Sequence, residues 1–334
     1  MRADPDAEYS PYLTKDYPNQ VLFGDTHLHT AYSADAGLTG ATTTPDVAYR
    51  FAKGEQVMSS HGIPAQLQRP LDFLVVADHA ENLGLTIALE DQREILEGNE
   101  WGRGLIETYG SGGKQEQADS YLYWAAAFTQ GDGGDPLAET PLAETMWQRM
   151  TEAAERHNAP GAFTALIGYE WTAGPNGNNL HRNIIFRDGK DKADQILPFS
   201  SYDSEDPEDL WAWMADYEAK IGGQLLAIPH NGNLSNGLMF DDVTFSGEAL
   251  DAEYAERRMR WEPVYEITQI KGDGETHPML SAEDEFADYG TWDKGSFGLE
   301  PKTPDMLPRE YAREAWKRGM AYEAELGANP FKFG

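Results

Sequence analysis

The sequence predicts an α/β fold of barrel type. Short apolar runs alternate with longer polar or amphipathic stretches, the pattern of βα units around a parallel sheet. Most of those runs end in a polar residue capable of chemistry, and barrels of this class carry their active sites at the C-terminal ends of the strands. Size agrees. A chain of 334 residues with 40% hydrophobic content suits one large barrel domain, decorated by insertions, better than several small ones.

Seven runs are the candidate strands, in order Val21-Leu22-Phe23, Phe73–Val76, residues 163–167, 183–186, 224–228 and 264–267, and Phe331-Lys332-Phe333. Residues 1–20 are polar and proline-bearing and read as an N-terminal extension, with the barrel over 21–334. Between the second and third runs lie roughly eighty residues, long enough to carry helices of their own and to cap a site. Residues 80–160 are therefore expected to be a helical insertion. Within it stand the glycine-rich Gly110-Ser111-Gly112-Gly113 and Gly131-Asp132-Gly133-Gly134, and Trp101, Trp124 and Trp147 serve there as packing. No internal repeat is visible.

Composition excludes several classes of function. With 57 acidic against 26 basic residues the formal charge is -31, which repels nucleic acid and anionic membranes. The absence of cysteine excludes disulfides, thiolate metal ligands and a cysteine nucleophile. The N-terminal segment lacks the apolar core of a signal peptide, and no run is long and apolar enough to span a bilayer. A soluble chain is expected, cytoplasmic or, where an export signal has been removed, periplasmic. Its partner is expected to be a small-molecule ester, with neither nucleic acid nor membrane.

The chemistry concentrates at the ends of the runs. In His27-Leu28-His29 the two imidazoles point to the same side of a strand and can face one ion. Asp35 follows in a loop rich in Ser and Gly that can fold back over the strand end. Asp78-His79 closes the second run, Glu170 the third, and His230 the fifth. Each alone has a bland reading, as a helix cap, a turn residue or a hydrogen-bonded rim acid. Together they predict a polynuclear metal site, because unpaired polar groups near a core are costly. Asp25 and Asp78 sit beside ligands and are candidates to orient an imidazole by accepting its second N–H. His181 and Arg182 open the fourth run and are candidate contacts for a substrate phosphate. For Arg182 an ordinary ion pair stands equally open. His277 and Asn231-Gly232-Asn233 are weaker candidates for the same mouth, while His61 and His157 read as surface residues.

These residues resemble a known family. His27-x-His29, Asp35, His79, Glu170 and His230 match in order and spacing the metal motifs of the polymerase and histidinol phosphatase (PHP) superfamily. More closely, residues 23–30, 229–240 and Gln269-Ile270-Lys271-Gly272-Asp273 resemble the PHP-like domain-of-unknown-function family 3604. The likeness covers nearly the whole chain from Val21. It implies a distorted seven-stranded (β/α) barrel that holds two or three divalent ions, zinc, manganese or iron, and hydrolyses phosphoesters. It also implies that His27, His29 and Glu170 hold one ion, that Glu170 bridges to a second held by His79 and His230, and that Asp35 belongs to a third. The nucleophile would be solvent, which suits a chain without a Gly-x-Ser-x-Gly elbow. Family members continue into a strand ending in Ser-Asp-x-His, so the last strand is expected to be incomplete here.

Three rival classes remain. An amidohydrolase also begins with His-x-His, yet its bridging lysine has no match, since Glu170 stands at the third strand's end. A non-catalytic metal-binding domain is the second. A nucleic-acid enzyme ranks last because of the charge.

Overall fold

Period-two alternation along five strands sorts the side chains of this protein into two layers. The computed structural model describes residues 20–129, 134–292, 295–296 and 300–334. The expected N-terminal extension, but for its last residue, and Gly131-Asp132-Gly133 lie outside them. The main sheet consists of β1 (Gly24–Leu28), β4 (Phe73–Val76), β5 (Thr164–Trp171), β6 (Arg182–Phe186) and β7 (Leu225–Pro229), hydrogen-bonded in that order. Two minor ribbons accompany it. β2 (Val57–Met58) pairs with β3 (Pro64–Ala65), and β8 (Thr268–Gln269) with β9 (Gly272–Asp273), both antiparallel.

Two expectations are corrected here. The seven-stranded barrel is not what forms: among the described residues the main sheet has five strands, curled into an open half-barrel with β1 and β7 as its edges. Residues 264–267 reach β7 through a single bond, from the Glu266 N–H to the Pro229 carbonyl at 3.1 Å. In backbone pairing among the described residues, 331–334 join only the stretch beside them, through Gly334 bonds with Tyr265 and Pro263, each 3.0 Å. Pro263 and Pro330 lack the N–H groups that a longer ladder would use. Nor is the sheet parallel throughout. β1, β4 and β5 run parallel, but β6 is antiparallel to both β5 and β7. A parallel crossover generally takes a dozen or more residues, usually with a helix. The link from Trp171 to Arg182 is shorter, contains only the 3₁₀ turn Pro175–Gly177, and reverses the chain directly.

The two faces differ in kind. Outward residues such as Leu74, Val76, Ile167, Tyr169, Ile184 and Phe186 belong to the main apolar cluster, with Trp147, Trp211 and Met214 from the covering helices. Those helices include Leu142–His157, Pro207–Ile221 and Ala252–Trp261. The last two begin at Asp206 and Asp251, whose carboxylates accept the Glu208 and Tyr254 N–H groups, a cap contributing about 1 kcal/mol each. Inward residues Val75, Ala77, Leu166, Ile185, Leu226 and Ile228 form a separate small cluster in the hollow of the half-barrel. Gly168 lets that hollow close, since a Cβ there would meet Val75 at 2.5 Å and the Ile184 carbonyl at 2.7 Å.

The parallel β4–β5 crossover is helical. It contains Leu85–Asp91, Arg93–Glu97, Glu100–Tyr109, Lys114–Thr129 and Leu142–His157. Trp124 and Trp147 are buried there; the Trp124 indole donates to Asn82 and that of Trp147 to the Ala193 carbonyl. Among the described residues, no helix is long and apolar enough to cross a membrane.

Candidate metal centre

The inward row of each central strand, continued past its apolar part, ends in a metal-ligating side chain. Val75-x-Ala77 leads to His79, Leu166-x-Gly168 to Glu170, and Leu226-x-Ile228 to His230. β6 runs the other way, so its inward row Ile185-x-Asn183 leads backward to His181 at the same end of the sheet. β1 contributes His27 and, one step beyond it, His29. The β4–β5 ladder extends to this level as an isolated bridge between His79 and Glu170. Curling of the sheet does the rest. Rings from opposite edges meet, with the His27 and His230 centroids 4.1 Å apart, and the Asn183 amide reaches across to the Thr26 carbonyl at 3.1 Å.

Glu170 is the centre of the cluster and is fully buried. Its Oε1 lies 2.6 Å from His181 Nδ1 and 3.0 Å from His230 Nε2. Its Oε2 lies 2.7 Å from His29 Nε2, 3.2 Å from His27 Nε2 and 3.8 Å from His79 Nδ1. Five imidazoles thus surround one carboxylate. Two groups have donor atoms close enough to share an ion, His27-Glu170-His230 and His29-His79-Glu170, with Glu170 common to both. That grouping pairs His27 with His230 and His29 with His79, unlike the partition that the resemblance implied. Asp35 stands on the open side, 3.2 Å from His29 Nδ1 and 3.4 Å from His79 Nε2.

Electrostatics divides the imidazoles. Burial opposes protonation of His27, but Glu170 and Glu266 outweigh it and hold its pKa up at about 9. His29 is raised in the same way, by Asp35 and Glu170 against burial. Burial prevails at His181 and His230, pushed down to about 3 and about 4. Burial would raise the carboxyls of Glu170 and Asp35, yet the surrounding imidazoles hold both well below the ordinary carboxylate range.

The donor set fits divalent cations on two further observations. His29 Nε2 and His230 Nδ1 are buried and make no hydrogen bond, although the former lies so close to Glu170. Orphaned ring nitrogens in a nest of carboxylate and imidazole are costly as polar groups and natural as ligands. The other ring nitrogens are steadied by neighbours. His27 Nδ1 lies 2.7 Å from Glu266 Oε2, and His79 Nδ1 contacts the Thr172 hydroxyl. Ser33 donates to Asp35 at 2.6 Å and accepts the His79 N–H at 3.2 Å.

The other sequence candidates stand apart from this cluster. Arg182 faces outward from β6, buried on the helix side, where it donates to Glu262 at 2.9 Å and to the Leu180 carbonyl, its guanidinium over the Trp171 ring. The ion pair, not a substrate contact, is the geometry observed. Asp25 is exposed and accepts the His27 backbone N–H at 2.8 Å; its partner is the main chain, not an imidazole. Asp78 points outward and binds the Thr30 N–H at 2.5 Å and hydroxyl at 2.7 Å, fixing the turn after His29; burial pushes its pKa up to about 6. His277 lies elsewhere, its ring 5.6 Å from that of Tyr311. His157 accompanies Asp46 at 2.9 Å, and Asn233 holds the Lys271 carbonyl at 3.0 Å.

Glu266, Thr172 and Ser33 were missed. An acid inside the apolar run 264–267 was the available signal for Glu266. The other two carry no sequence signal, since hydroxyls near a strand end are common.

No curated protein and no solved structure matches the chain. The family described as Protein of unknown function (DUF3604) matches residues 16–334. Covering nearly the whole chain, that match places this protein in the DUF3604 family.

Proposed function

We propose that this protein is a metal-dependent hydrolase of PHP type, acting on phosphoesters at a dinuclear centre bridged by Glu170. The observation that carries the reading is the single buried carboxylate shared by two His-Glu-His groups drawn from β1 and β5 and from the residues that follow β1, β4 and β7. Glu170, common to both groups, would help hold two cations, as carboxylates do in hydrolytic two-metal sites. Zinc, manganese and iron all suit nitrogen and oxygen donors without thiolate. The chemistry such ions supply when bound is a water made nucleophilic near neutral pH and relief of negative charge developing on the ester.

The chain's own residues prepare the site. Glu266, taking the Nδ1–H of His27, selects the tautomer that leaves Nε2 to face Glu170. Thr172 does the same for His79 from the opposite wall, leaving its Nε2 toward Asp35. His181 and His230 stay neutral through burial and are ready to bind without releasing a proton. Asp35, partly exposed and aimed between His29 and His79, supplies a further oxygen for a third ion or for orienting water.

Elemental analysis of the purified protein, alongside hydrolysis of 4-nitrophenyl phosphate with added zinc, manganese or iron, tests this. Two or more ions per chain with turnover are expected. Absence of bound metal overturns the proposal; metal without turnover of any phosphoester leaves a non-catalytic metal domain.

A further inference from the structure

Two depressions meet at the metal centre, and their linings differ. One is an open cleft of about 680 Å³ over His27 and His29, lined with Asp25, Asp35, Glu266 and Lys271. The other, equally open to solvent, is a chamber of about 450 Å³ between the helix Pro45–Ala52 and the β2–β3 hairpin. His29, Ala36 and Thr39 line both, so the two adjoin at the candidate ligand His29. Leu28, Val47, Phe51, Val57 and Ala65 make the chamber's apolar wall. Among its described lining residues there is no Asp, Glu, Lys or Arg, in a chain of which 25% is charged. The hairpin that closes it is pinned, with the Ser60 hydroxyl accepting the Thr42 N–H at 3.0 Å and the Gln66 amide donating to the Gly54 carbonyl at 2.8 Å.

We infer that this chamber is the substrate's second subsite and receives an uncharged, ring-sized apolar group, so that the ester cleaved is one of a hydrophobic alcohol or phenol. The inference rests on the hydrolase reading above and names its substrate class. A depression of this size with an apolar wall and a few hydroxyls has the usual lining of a small-molecule site. An apolar body seated there puts the ester bond beside His29 and leaves the charged end of the molecule in the polar cleft. A substrate charged at both ends would have to place one charge against an apolar wall whose ionisable groups are His29 and His61 alone among the described residues. The assignment therefore disfavours substrates that carry a charged group at each end, such as bisphosphates.

Ala65→Trp fills the chamber from the edge strand, and Ala41→Leu is a milder second variant. 1-Naphthol binding is followed by fluorescence, and kcat/KM is measured for 1-naphthyl phosphate and ethyl phosphate, with metal content checked in each variant. The parent should bind 1-naphthol and prefer the naphthyl ester. Both variants should keep their metal, lose naphthol binding, and lose about tenfold or more of that preference while ethyl phosphate turnover is unchanged. Naphthol binding that is absent, or unaffected by both substitutions, overturns the chamber regardless of catalysis. Naphthol binding abolished by the variants while neither ester is hydrolysed by the parent overturns the substrate assignment and the phosphoesterase reading together. Metal and ethyl phosphate turnover without naphthyl preference overturns only the subsite.

Discussion

A carboxylate that two cations share should matter more than any one imidazole. Glu170→Gln keeps the shape and removes the charge, and both ions should be lost together. Glu266→Gln, which leaves every direct donor in place, should instead weaken metal binding about 10- to 100-fold through the freed His27 ring. Competition against a chromogenic chelator distinguishes the two; equal loss in both variants would refute the bridging role. Legibility at this scale followed chain position. His27, His29, Asp35, His79, Glu170 and His230 were readable because each ends, or closely follows, an apolar run. Glu266 showed only as an acid inside an apolar run, and its role was not readable, because its partner His27 is 239 residues away and only the folded sheet brings them together. Arg182 shows the converse limit. A guanidinium next to a ligand in sequence points to the opposite face of a strand, where Glu262 claims it.

At the scale of elements, the outer face depends on one buried charge group. Glu262 lies between Arg182 at 2.9 Å and Arg258 at 3.1 Å and accepts the Trp211 indole N–H at 3.0 Å, tying β6 to the helices Pro207–Ile221 and Ala252–Trp261. Burial would raise its carboxyl, but the two guanidinium groups prevail and hold it below its ordinary value. A carboxylate with a lowered folded pKa contributes stability above its unfolded pKa and loses it as pH falls through the folded one. Stability from this group is therefore complete near neutrality and declines below about pH 4. Glu262→Gln should cost about 3–5 kcal/mol at pH 7, since two buried guanidinium groups lose their counter-charge, and should flatten the acid limb. Urea midpoints between pH 3 and pH 7 for both proteins check this, and an unchanged acid limb would assign it to other carboxylates. The small ribbons show a backbone constraint. Gly272 has φ of 108°, and a Cβ there would meet Trp292 at 2.8 Å and the Asn233 amide at 2.9 Å, so the β8–β9 turn beside the cleft is fixed by glycine.

Over the whole molecule, the ligands span His27 to His230, and bound ions would cross-link strands distant in sequence. Occupancy at about a hundredfold over Kd should add about 2.7 kcal/mol. Calorimetry should show the melting temperature rising by a few degrees with added zinc or manganese and falling on chelation. A melting temperature indifferent to metal would argue against a site of this span. The charge of -31 acts at the same scale, since it disfavours polyanionic partners without specifying the fold. By itself, the sequence determined the α/β class, strands at or overlapping the runs 73–76, 163–167, 183–186 and 224–228, the helical segment before β5, and six ligand candidates. Those follow from local rules: apolar runs make strands, and a polar group ending such a run is either paired or functional. Only the tertiary structure decided that the sheet is open and mixed, that β6 runs backward so that His181 joins the site, and that His27 stands with His230. Strand direction, curl and cross-sheet pairing depend on contacts between residues far apart in sequence, and no local pattern carries that information.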